Sequence, residues 1–223
     1  MRKTEKQKSN AQHTAIPPAA ISRMAIYLRE LQQLLRSGVA TIKSYELGEL
    51  LGFTDSQVRR DLALLGTMGR RGVGYQTESL CQAIRTVIGT DRSWGVVLVG
   101  MGNLGQALAG YRGFESQGFN LVAAFEADPA KIGKKVAGVM IHALDDLENI
   151  IAKQSIQLAI LAVPAEVAAA VAERLAKCGI TGILNFAPTT VQSTKTKIPV
   201  INVDLAIELQ RLAFAVVNQQ PKS

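Results

Sequence analysis

Cysteine and histidine are scarce in this sequence. Its 223 residues contain two cysteines, Cys81 and Cys178, and two histidines, His13 and His142, with no C-x-x-C spacing. Such a composition excludes a disulfide framework and a zinc site built from cysteine and histidine. We therefore expect no metal centre.

Long apolar runs are also absent. The longest, LAILAVPAEVAAAVA, is interrupted by Pro164 and Glu166 and is too short to span a bilayer. The first ten residues, MRKTEKQKSN, lack the apolar core of a secretory signal. These absences predict a cytoplasmic protein that has no membrane partner.

Basic residues are unevenly distributed along the chain. Residues 1–85 contain 13 Lys and Arg against 7 Asp and Glu, whereas residues 86–223 contain 12 against 11. A basic segment joined to a nearly neutral one indicates that the first meets a polyanion such as nucleic acid. The alternative is that the charge only aids solubility. Residues 1–15 have the composition of a flexible basic tail.

The basic segment has the pattern of a winged helix-turn-helix. A long amphipathic helix is predicted after Pro17-Pro18, and a short helix, with Ser44 as its cap, is predicted to end at Gly52. Thr54 then caps a third helix, DSQVRRDLALLG, whose exposed Gln and Arg suit base edges in a major groove. The glycines of GRRGVGY indicate a tight hairpin, whose arginines suit phosphates or a minor groove. A helical dimerisation domain is the alternative.

This pattern predicts a DNA-binding surface made of two helix starts and the hairpin. Its candidate residues are Lys43, Ser44, Ser56, Gln57, Arg59, Arg60, Arg70, Arg71, Gly72 and Tyr75.

The neutral segment contains a dinucleotide fingerprint. The apolar run WGVVLV is followed directly by Gly100-Met101-Gly102-Asn103-Leu104-Gly105 and then by a helical pattern. The first glycine permits the turn, the second lets the backbone approach a pyrophosphate, and the third lets helix and strand pack closely. The pyrophosphate is expected at the start of that helix. A structural turn without ligand is the alternative.

An acidic residue stands where such a fingerprint requires one. Glu126 follows the strand pattern LVAAF, 21 residues beyond Gly105. Its carboxylate suits the ribose hydroxyls and repels a 2′-phosphate, so the sequence favours NAD over NADP.

The remaining sequence alternates between strand and helix patterns. This alternation predicts a Rossmann-like, doubly wound, mostly parallel sheet, in the α/β class, with ligands at the carboxyl ends of its strands. Two further segments fall at that edge and are candidate ligand contacts: Val163-Pro164 and Asn185-Phe186-Ala187-Pro188.

Eight motifs, in order, resemble the Rex family of redox-sensing transcriptional repressors over roughly residues 16–217. They are IPPAAISRMAIYLREL, QVRRDL, RRGVGY, VGMGNLG, FEADPAKIGK, AVPAE, GILNFAP and NVDLAIELQ. The resemblance implies a homodimer that binds a palindromic operator, tolerates NAD⁺ and leaves the DNA when NADH binds. It extends the cofactor contacts to Ala127, Asp128 and Lys131. The chain departs from the family at Glu126, where Asp is common, and in its longer basic extension.

The resemblance also implies a switch and an exchanged helix. Arg29, Tyr111 and Asp204 are its implied switch residues, and the C-terminal helix is expected to be exchanged between subunits. Because Asp204 begins that helix, a helix cap alone also accounts for it. We therefore expect four segments: the tail (1–15), a winged-helix domain (16–88), a dinucleotide domain (89–203) and the exchanged helix (204–223).

Two other function classes remain open. The first is an NAD-dependent dehydrogenase, against which stand the absence of a substrate domain and of the usual proton donors. The second is a coenzyme A or other nucleotide-binding regulatory module, because related sheets bind adenosine phosphates.

Overall fold

The computed structural model describes residues 16–66, 69–70, 72–154 and 156–219. The chain divides into two compact units, of which the first ends at Asp91 and the second begins at Arg92. The tail of residues 1–15 and Arg71 lie outside the described residues.

The first unit is helical, with one small sheet. Its elements are α1 (Pro18–Arg36), β1 (Thr41–Ile42), α2 (Ser44–Leu51), α3 (Asp55–Ala63), β2 (Tyr75–Gln76) and α4 (Thr77–Ile88). Strand β2 pairs antiparallel with β1. The apolar faces of the helices meet in a single core around Met24, Leu47, Leu62 and Leu80.

The second unit contains a seven-stranded sheet. Its elements are β3 (Trp94–Val99), α5 (Asn103–Ala109), α6 (Gly113–Ser116), β4 (Phe119–Glu126), β5 (Lys135–Val136), β6 (Val139–Ala143), α7 (Leu147–Gln154), β7 (Leu158–Leu161), α8 (Ala165–Lys177), β8 (Gly182–Asn185), α9 (Ser193–Thr196), β9 (Val200–Asn202) and α10 (Leu205–Gln219). The strand order is β5-β6-β4-β3-β7-β8-β9. All neighbouring pairs are parallel except β5 with β6.

The α/β architecture with a mostly parallel sheet confirms the predicted fold class. The β5–β6 hairpin, which extends the sheet beyond β4, was not predicted from the sequence. The order β4-β3-β7 places β3 in the interior of the sheet, so the loops after β3, β4, β7 and β8 lie along one edge. The predicted ligand segments belong to these loops.

The two faces of the sheet are covered differently. On one face, α7 and α8 bury a core that includes Val97, Phe125, Leu161 and Leu175. The other face has a smaller core around Leu98 and Met101. Next to it lies an apolar groove of about 450 Å³, with Phe114, Leu121 and Ile160 in its lining.

Helix α10 presents its apolar residues to solvent. The large apolar side chains that are exposed along it are Leu205, Ile207, Leu209, Leu212, Phe214, Val216 and Val217. Phe214, for example, has 72% of its surface exposed. A helix with this composition requires an apolar partner surface.

No helix among the described residues is long and apolar enough to cross a membrane.

Candidate functional site: a recognition helix and a dinucleotide cradle

A tight glycine turn joins α2 to α3. Gly52 ends α2 in the left-handed conformation with φ of 72°, and the Phe53 N–H donates to the Gly48 carbonyl at 2.9 Å. The Thr54 hydroxyl then caps α3 by accepting the Gln57 N–H at 3.2 Å, as the sequence predicted. Two short helices are thereby connected as in a helix-turn-helix.

The cap predicted for α2 is wrong. Ser44 is the first residue of the helix, and the capping position belongs to Lys43, whose backbone N–H donates to the Glu46 carboxylate at 2.7 Å. Glu46, the third residue of the helix, thus satisfies the backbone N–H of the capping residue. Lys43 and Ser44 still lie at the start of α2.

The candidate base-reading side chains on α3 are not equivalent. Ser56, Arg59 and Arg60 are exposed. Arg59 pairs with Asp55 one turn earlier at 2.7 Å, so its guanidinium would exchange this partner for a base or phosphate. Gln57 is half-buried rather than exposed, because its side-chain amide donates to Asp61 at 3.0 Å.

Asp61 is the centre of a buried polar cluster between α1 and α3 that was not predicted from the sequence. The Arg23 guanidinium donates to both of its oxygens, at 2.6 and 2.7 Å, and the Tyr27 hydroxyl donates at 2.8 Å. Burial alone would raise the pKa of Asp61, but the hydrogen bonds from Arg23, Tyr27 and Gln57 outweigh it and lower that pKa. An ionised carboxylate therefore ties α1 to α3.

The hairpin after α3 is short and tight. Arg70 and Gly74 face each other in an antiparallel bridge, with N–H to carbonyl distances of 2.8 and 2.9 Å. Gly72, with φ of 82°, is exposed at the turn. Tyr75 begins β2 opposite Ile42, and its ring packs against the core of the unit and beside Gly69. Tyr75 thus supports the hairpin.

The three glycines of the fingerprint have different local roles. Gly100 turns the chain with φ of 97°, which an L side chain rarely adopts. Gly105 lies against the Gly100 carbonyl, so a side chain there would collide with backbone. Gly102, with φ of −70°, has nothing within 4 Å of the place a Cβ would occupy. The open space is beside Gly102, where a dinucleotide fingerprint requires it.

The residues between these glycines are divided between core and surface. The Met101 side chain is fully buried in the smaller core of the sheet. Asn103 and Leu104 are exposed on the first turn of α5.

Glu126 joins the end of β4 to the glycine loop. One oxygen accepts the Met101 N–H at 2.9 Å, and the other accepts the N–H groups of Ala127 and Asp128, at 2.7 and 3.2 Å. Burial would raise the pKa of Glu126, but the three backbone donors and Lys131 lower it overall. The carboxylate is therefore fixed and ionised beside the loop.

Lys131 is the nearest cation to Glu126 among the described residues. Its Nζ lies 3.3 Å from the Glu126 carboxylate and 3.7 Å from that of Asp128. Asp128 also accepts the Ala130 N–H at 2.9 Å, which shapes the loop after β4. The sequence-predicted residues after β4 thus form one charged cluster.

The loop after β7 reaches the first glycine. A Cβ at Gly100 would collide with the Ala162 carbonyl and the Val163 side chain, so the loop packs directly against this glycine. Pro164 is the residue immediately before α8. The segment Val163-Pro164 therefore lies beside the glycine loop.

The loop after β8 is held internally. Asn185 is fully buried; its amide nitrogen donates to the Thr189 carbonyl and to the Asn202 side chain, and its oxygen accepts the Ala187 N–H. Asn202, at the end of β9, also bonds both backbone groups of Val191. Asn185 thus shapes the loop.

The other three candidates of this loop differ in exposure. Phe186 is half-buried, Ala187 is buried and Pro188 is exposed. The apolar surfaces of Phe186 and Pro188 are therefore accessible at the carboxyl edge of the sheet.

The three implied switch residues belong to both units. Arg29 is exposed on α1 of the first unit. In the second unit Tyr111 is 60% exposed and packs edge-on against Phe114 at 5.0 Å. Asp204 caps α10 by accepting the N–H groups of Ala206 and Ile207, at 2.8 and 3.3 Å.

Within the described residues, no group of three or more His, Cys, Asp or Glu side chains is arranged to hold a metal ion.

Two family models match the chain in succession. A putative DNA-binding protein N-terminus matches residues 15–63, and a CoA binding domain matches residues 91–189. The first match contains α1 to α3, and the second contains the glycine loop and Glu126.

Curated relatives resemble the chain over most of its length. A protein of Rhodopirellula baltica named "Redox-sensing transcriptional repressor Rex" is 49% identical over 90% of this chain and 84% of its own length. A protein of the same name from Carboxydothermus hydrogenoformans is 44% identical over 89% and 95%. Rex 1 of Thermotoga maritima is 40% identical over 92% and 97%.

Solved structures resemble the chain in both units. The Rex-family repressor RSP in complex with β-NAD⁺ and operator DNA matches with a TM-score of 0.85 and 35% identity, over 92% of this chain and 94% of its own. RSP in complex with β-NADH matches with a TM-score of 0.80 and 34% identity, over 92% and 96%.

Proposed function

The chain belongs to the Rex family of redox-sensing transcriptional repressors, and we propose that it represses transcription according to the ratio of NADH to NAD⁺. It binds operator DNA when NAD⁺ prevails and leaves the operator when NADH binds. The carrying observation is the similarity over both units to RSP, which was solved with NAD⁺ and operator DNA and with NADH.

The first unit supplies the DNA contacts in this proposal. The start of α3 enters the major groove with Ser56, Arg59 and Arg60 exposed and Gln57 at its rim. Lys43, Ser44 and the hairpin around Arg70 and Gly72 contact the flanking backbone. Arg71 and the tail of residues 1–15 add positive charge to the same unit. We assign residues 16–88 to this function.

The second unit holds the dinucleotide. The open space beside Gly102 accommodates the pyrophosphate, because any side chain there would fill it. The fixed, ionised Glu126 accepts the ribose hydroxyls of the adenosine half. Val163, Pro164, Phe186 and Pro188 face the nicotinamide half. The residues of this edge therefore fit NADH and NAD⁺, and we assign residues 89–203 to this function.

The charge of the nicotinamide ring gives a physical basis for sensing. When bound, the ring carries one positive charge in its oxidised form and none in its reduced form. Apolar walls from Val163, Pro164 and Phe186 remove water from around the ring, which penalises the cation. A hundredfold preference for NADH corresponds to about 2.7 kcal/mol, a modest cost for partial burial of a charge.

A homodimer accounts for the apolar surface of α10. A second copy of the chain covers Leu209, Leu212 and Phe214, which lie exposed in one copy. The apolar groove of about 450 Å³ on the sheet offers a receiving surface of matching character. In this arrangement the described part of the C-terminal segment, residues 204–219, is exchanged between subunits, and a two-fold dimer reads a palindromic operator. Phe214→Glu is expected to weaken the dimer in sedimentation measurements.

Arg29, Tyr111 and Asp204 form the switch in this proposal. A carboxylate that bonds a phenol in one state and a guanidinium in the other is a two-state element, and a ligand shifts such an element only through unequal affinity for its two states. Asp204 belongs to the exchanged segment, so its partners include groups of the other subunit.

The protein regulates rather than catalyses. The curated relatives that cover most of the chain are named as transcriptional repressors. Because operator DNA and the NADH pool meet in the cytoplasm, we assign the protein to that compartment.

A DNA-binding titration tests the proposal. A palindromic operator is selected from a randomised library with the full chain, and binding is measured while NADH or NAD⁺ is added. We expect release by NADH at concentrations where NAD⁺ leaves the complex intact. Equal effects of the two nucleotides would overturn the redox assignment.

The match to a CoA binding domain over residues 91–189 keeps a coenzyme A-responsive regulator as the second candidate. Competition distinguishes the two, because coenzyme A is expected not to displace NADH, as followed by nicotinamide fluorescence. Displacement of NADH by equimolar coenzyme A would favour the second candidate.

A further inference from the structure

The buried carboxylate of Asp61 lies directly behind a predicted base contact. Asp61 is 2% exposed and accepts hydrogen bonds from Arg23, Tyr27 and Gln57. The first two donors come from α1, whereas Gln57 lies one turn earlier on α3 itself. Asp61 therefore contacts a groove-facing residue without facing the groove itself.

The chemistry of Asp61 determines how the Gln57 amide is turned. An ionised carboxylate can only accept hydrogen bonds, so the group that faces it must be the NH₂ of the amide. The opposite orientation would place the amide oxygen against a negatively charged oxygen. At 3.0 Å from Asp61, Nε2 uses one of its two protons, and the carbonyl oxygen and the second proton remain.

This orientation matches one purine better than the other. In the major groove adenine presents an acceptor at N7 and a donor at N6, whereas guanine presents acceptors at both N7 and O6. A glutamine that offers one acceptor and one donor side by side pairs with adenine. A reversed amide would present its NH₂ outward and would suit guanine.

We propose that Asp61 is a specificity-determining positioning residue: it holds the Gln57 amide in the orientation that reads adenine and disfavours guanine. The inference rests on the proposed function, because Gln57 reads a base only if α3 enters the groove. Beyond that function, it predicts an adenine at one position of the operator. It also names a residue that determines this preference without contacting DNA.

The test begins by locating the operator position that Gln57 reads. Gln57→Met keeps the length of the side chain and removes the amide. We expect it to abolish the base preference at one position of each half-site, and that preference to be for adenine in the wild type. A Gln57→Met protein whose preferences all match the wild type would overturn the proposal.

The decisive variant is Asp61→Asn, which presents both a donor and an acceptor to Gln57 and so permits either amide orientation. We expect the wild type to prefer adenine over guanine at this position by about tenfold or more. Asp61→Asn is expected to reduce that ratio to within about threefold. A ratio unchanged from the wild type would overturn the proposal.

Tyr27→Phe is the matched control. It removes one hydrogen bond from the same carboxylate and leaves the contact with Gln57 in place. We expect it to lower the melting temperature while it preserves the adenine preference. If Tyr27→Phe lowers the preference as much as Asp61→Asn, the effect arises from a loosened helix and the proposal is wrong.

Folding of the Asp61→Asn protein is favoured by the position of its counterion. The Arg23 side chain keeps 23% of its surface exposed, so water can solvate the guanidinium once the carboxylate is gone. If the single variant does not fold, the double variant Arg23→Gln/Asp61→Asn removes both charges together. The preference for adenine over guanine is then measured in the double variant: a reduced preference supports the proposal, and an unchanged one overturns it. If NADH does not release the wild type from the operator, the proposed function is refuted. If NADH does release it, but Asp61→Asn has the same adenine-to-guanine ratio as the wild type, only this inference is refuted.

Discussion

The Glu126 carboxylate accepts the Met101 backbone N–H at 2.9 Å and thereby joins the end of β4 to the glycine loop after β3. Both of its oxygens have backbone donors, so the negative charge is fixed in position. The lowered pKa keeps Glu126 ionised at neutral pH. If the adenosine ribose binds here as proposed, a 2′-phosphate on it would meet a negative charge that cannot easily move away.

We expect the protein to discriminate against NADPH because of this charge. Two unit charges 4 Å apart repel by roughly 4 kcal/mol at an effective dielectric of about 20, and Lys131 offsets part of this repulsion from 3.3 Å. Glu126→Gln should narrow the gap between the NADH and NADPH concentrations that release the operator. Lys131→Met should widen it. Equal potency of NADH and NADPH on the wild type would remove Glu126 from the ribose site.

Gly102→Val is expected to impair NADH binding, whereas Gly105→Ala is expected to impair folding. Valine at position 102 enters open space with an ordinary φ of −70°, so the protein should fold and bind DNA but lose NADH binding. Alanine at position 105 collides with the Gly100 carbonyl and should destabilise the second unit. Melting temperature and NADH fluorescence separate the two effects. Normal NADH binding by Gly102→Val would show that the loop is only structural.

Arg59→Ala and Arg60→Ala should each weaken specific operator binding by about 1–3 kcal/mol, which is the value of a bidentate base contact. Both residues are exposed near the middle of α3, so the fold should remain intact. Arg36→Ala removes the same charge from an exposed position at the end of α1 and serves as the control. Undiminished specific affinity in both α3 variants would contradict the groove assignment.

The Asp61 cluster predicts a pH dependence of stability. Since the folded state lowers the pKa of Asp61, its contribution is complete above the ordinary carboxyl value of about 4 and is lost as the pH falls towards the folded value. At pH 7 the free energy of unfolding of the wild type should exceed that of Asp61→Asn by about 1.5–3 kcal/mol, the contribution of a hydrogen bond to a charged group. The difference in melting temperature should therefore shrink as the pH falls below about 4. A difference that does not change with pH would place the stabilisation elsewhere.

The sequence predicted the parts of this molecule that depend on local pattern. Thr54 as a cap and Gly100 as a turn follow from short-range rules, and both predictions are confirmed. The α/β class follows from the alternation of strand and helix patterns, which is also local.

The features that the sequence did not predict depend on contacts between distant residues. In the sequence, Asp61 is an ordinary polar residue of a helix. Its role arises only in the fold, where α1 brings Arg23, 38 residues away, into contact with it. Asn202 acquires its role only where β9 lies beside β8. The pairing of β5 with β6 turns on a short Ala137-Gly138 connection that carries no strong signal of its own.

Asp204 is the residue whose role depends most on a comparison of variants. Its Oδ1 accepts the N–H groups of Ala206 and Ile207, so Asp204 caps α10. Asp204→Asn keeps an oxygen for this cap, and stability should change little. Asp204→Ala removes the cap as well and should cost about 1 kcal/mol.

The proposed pairing with Arg29 requires the charge and not the cap. If this pairing stabilises the released state, Asp204→Asn should bind operator normally yet need several-fold more NADH for half release. Arg29→Gln should raise the release midpoint in the same way, because it removes the other charge of the pair. The measurement is the NADH concentration that releases half of the operator. It is taken for Asp204→Asn, Asp204→Ala and Arg29→Gln at a temperature where each variant is fully folded. If that midpoint is unchanged in Asp204→Asn and Arg29→Gln while the melting temperature falls only in Asp204→Ala, Asp204 is a helix cap and the switch lies elsewhere.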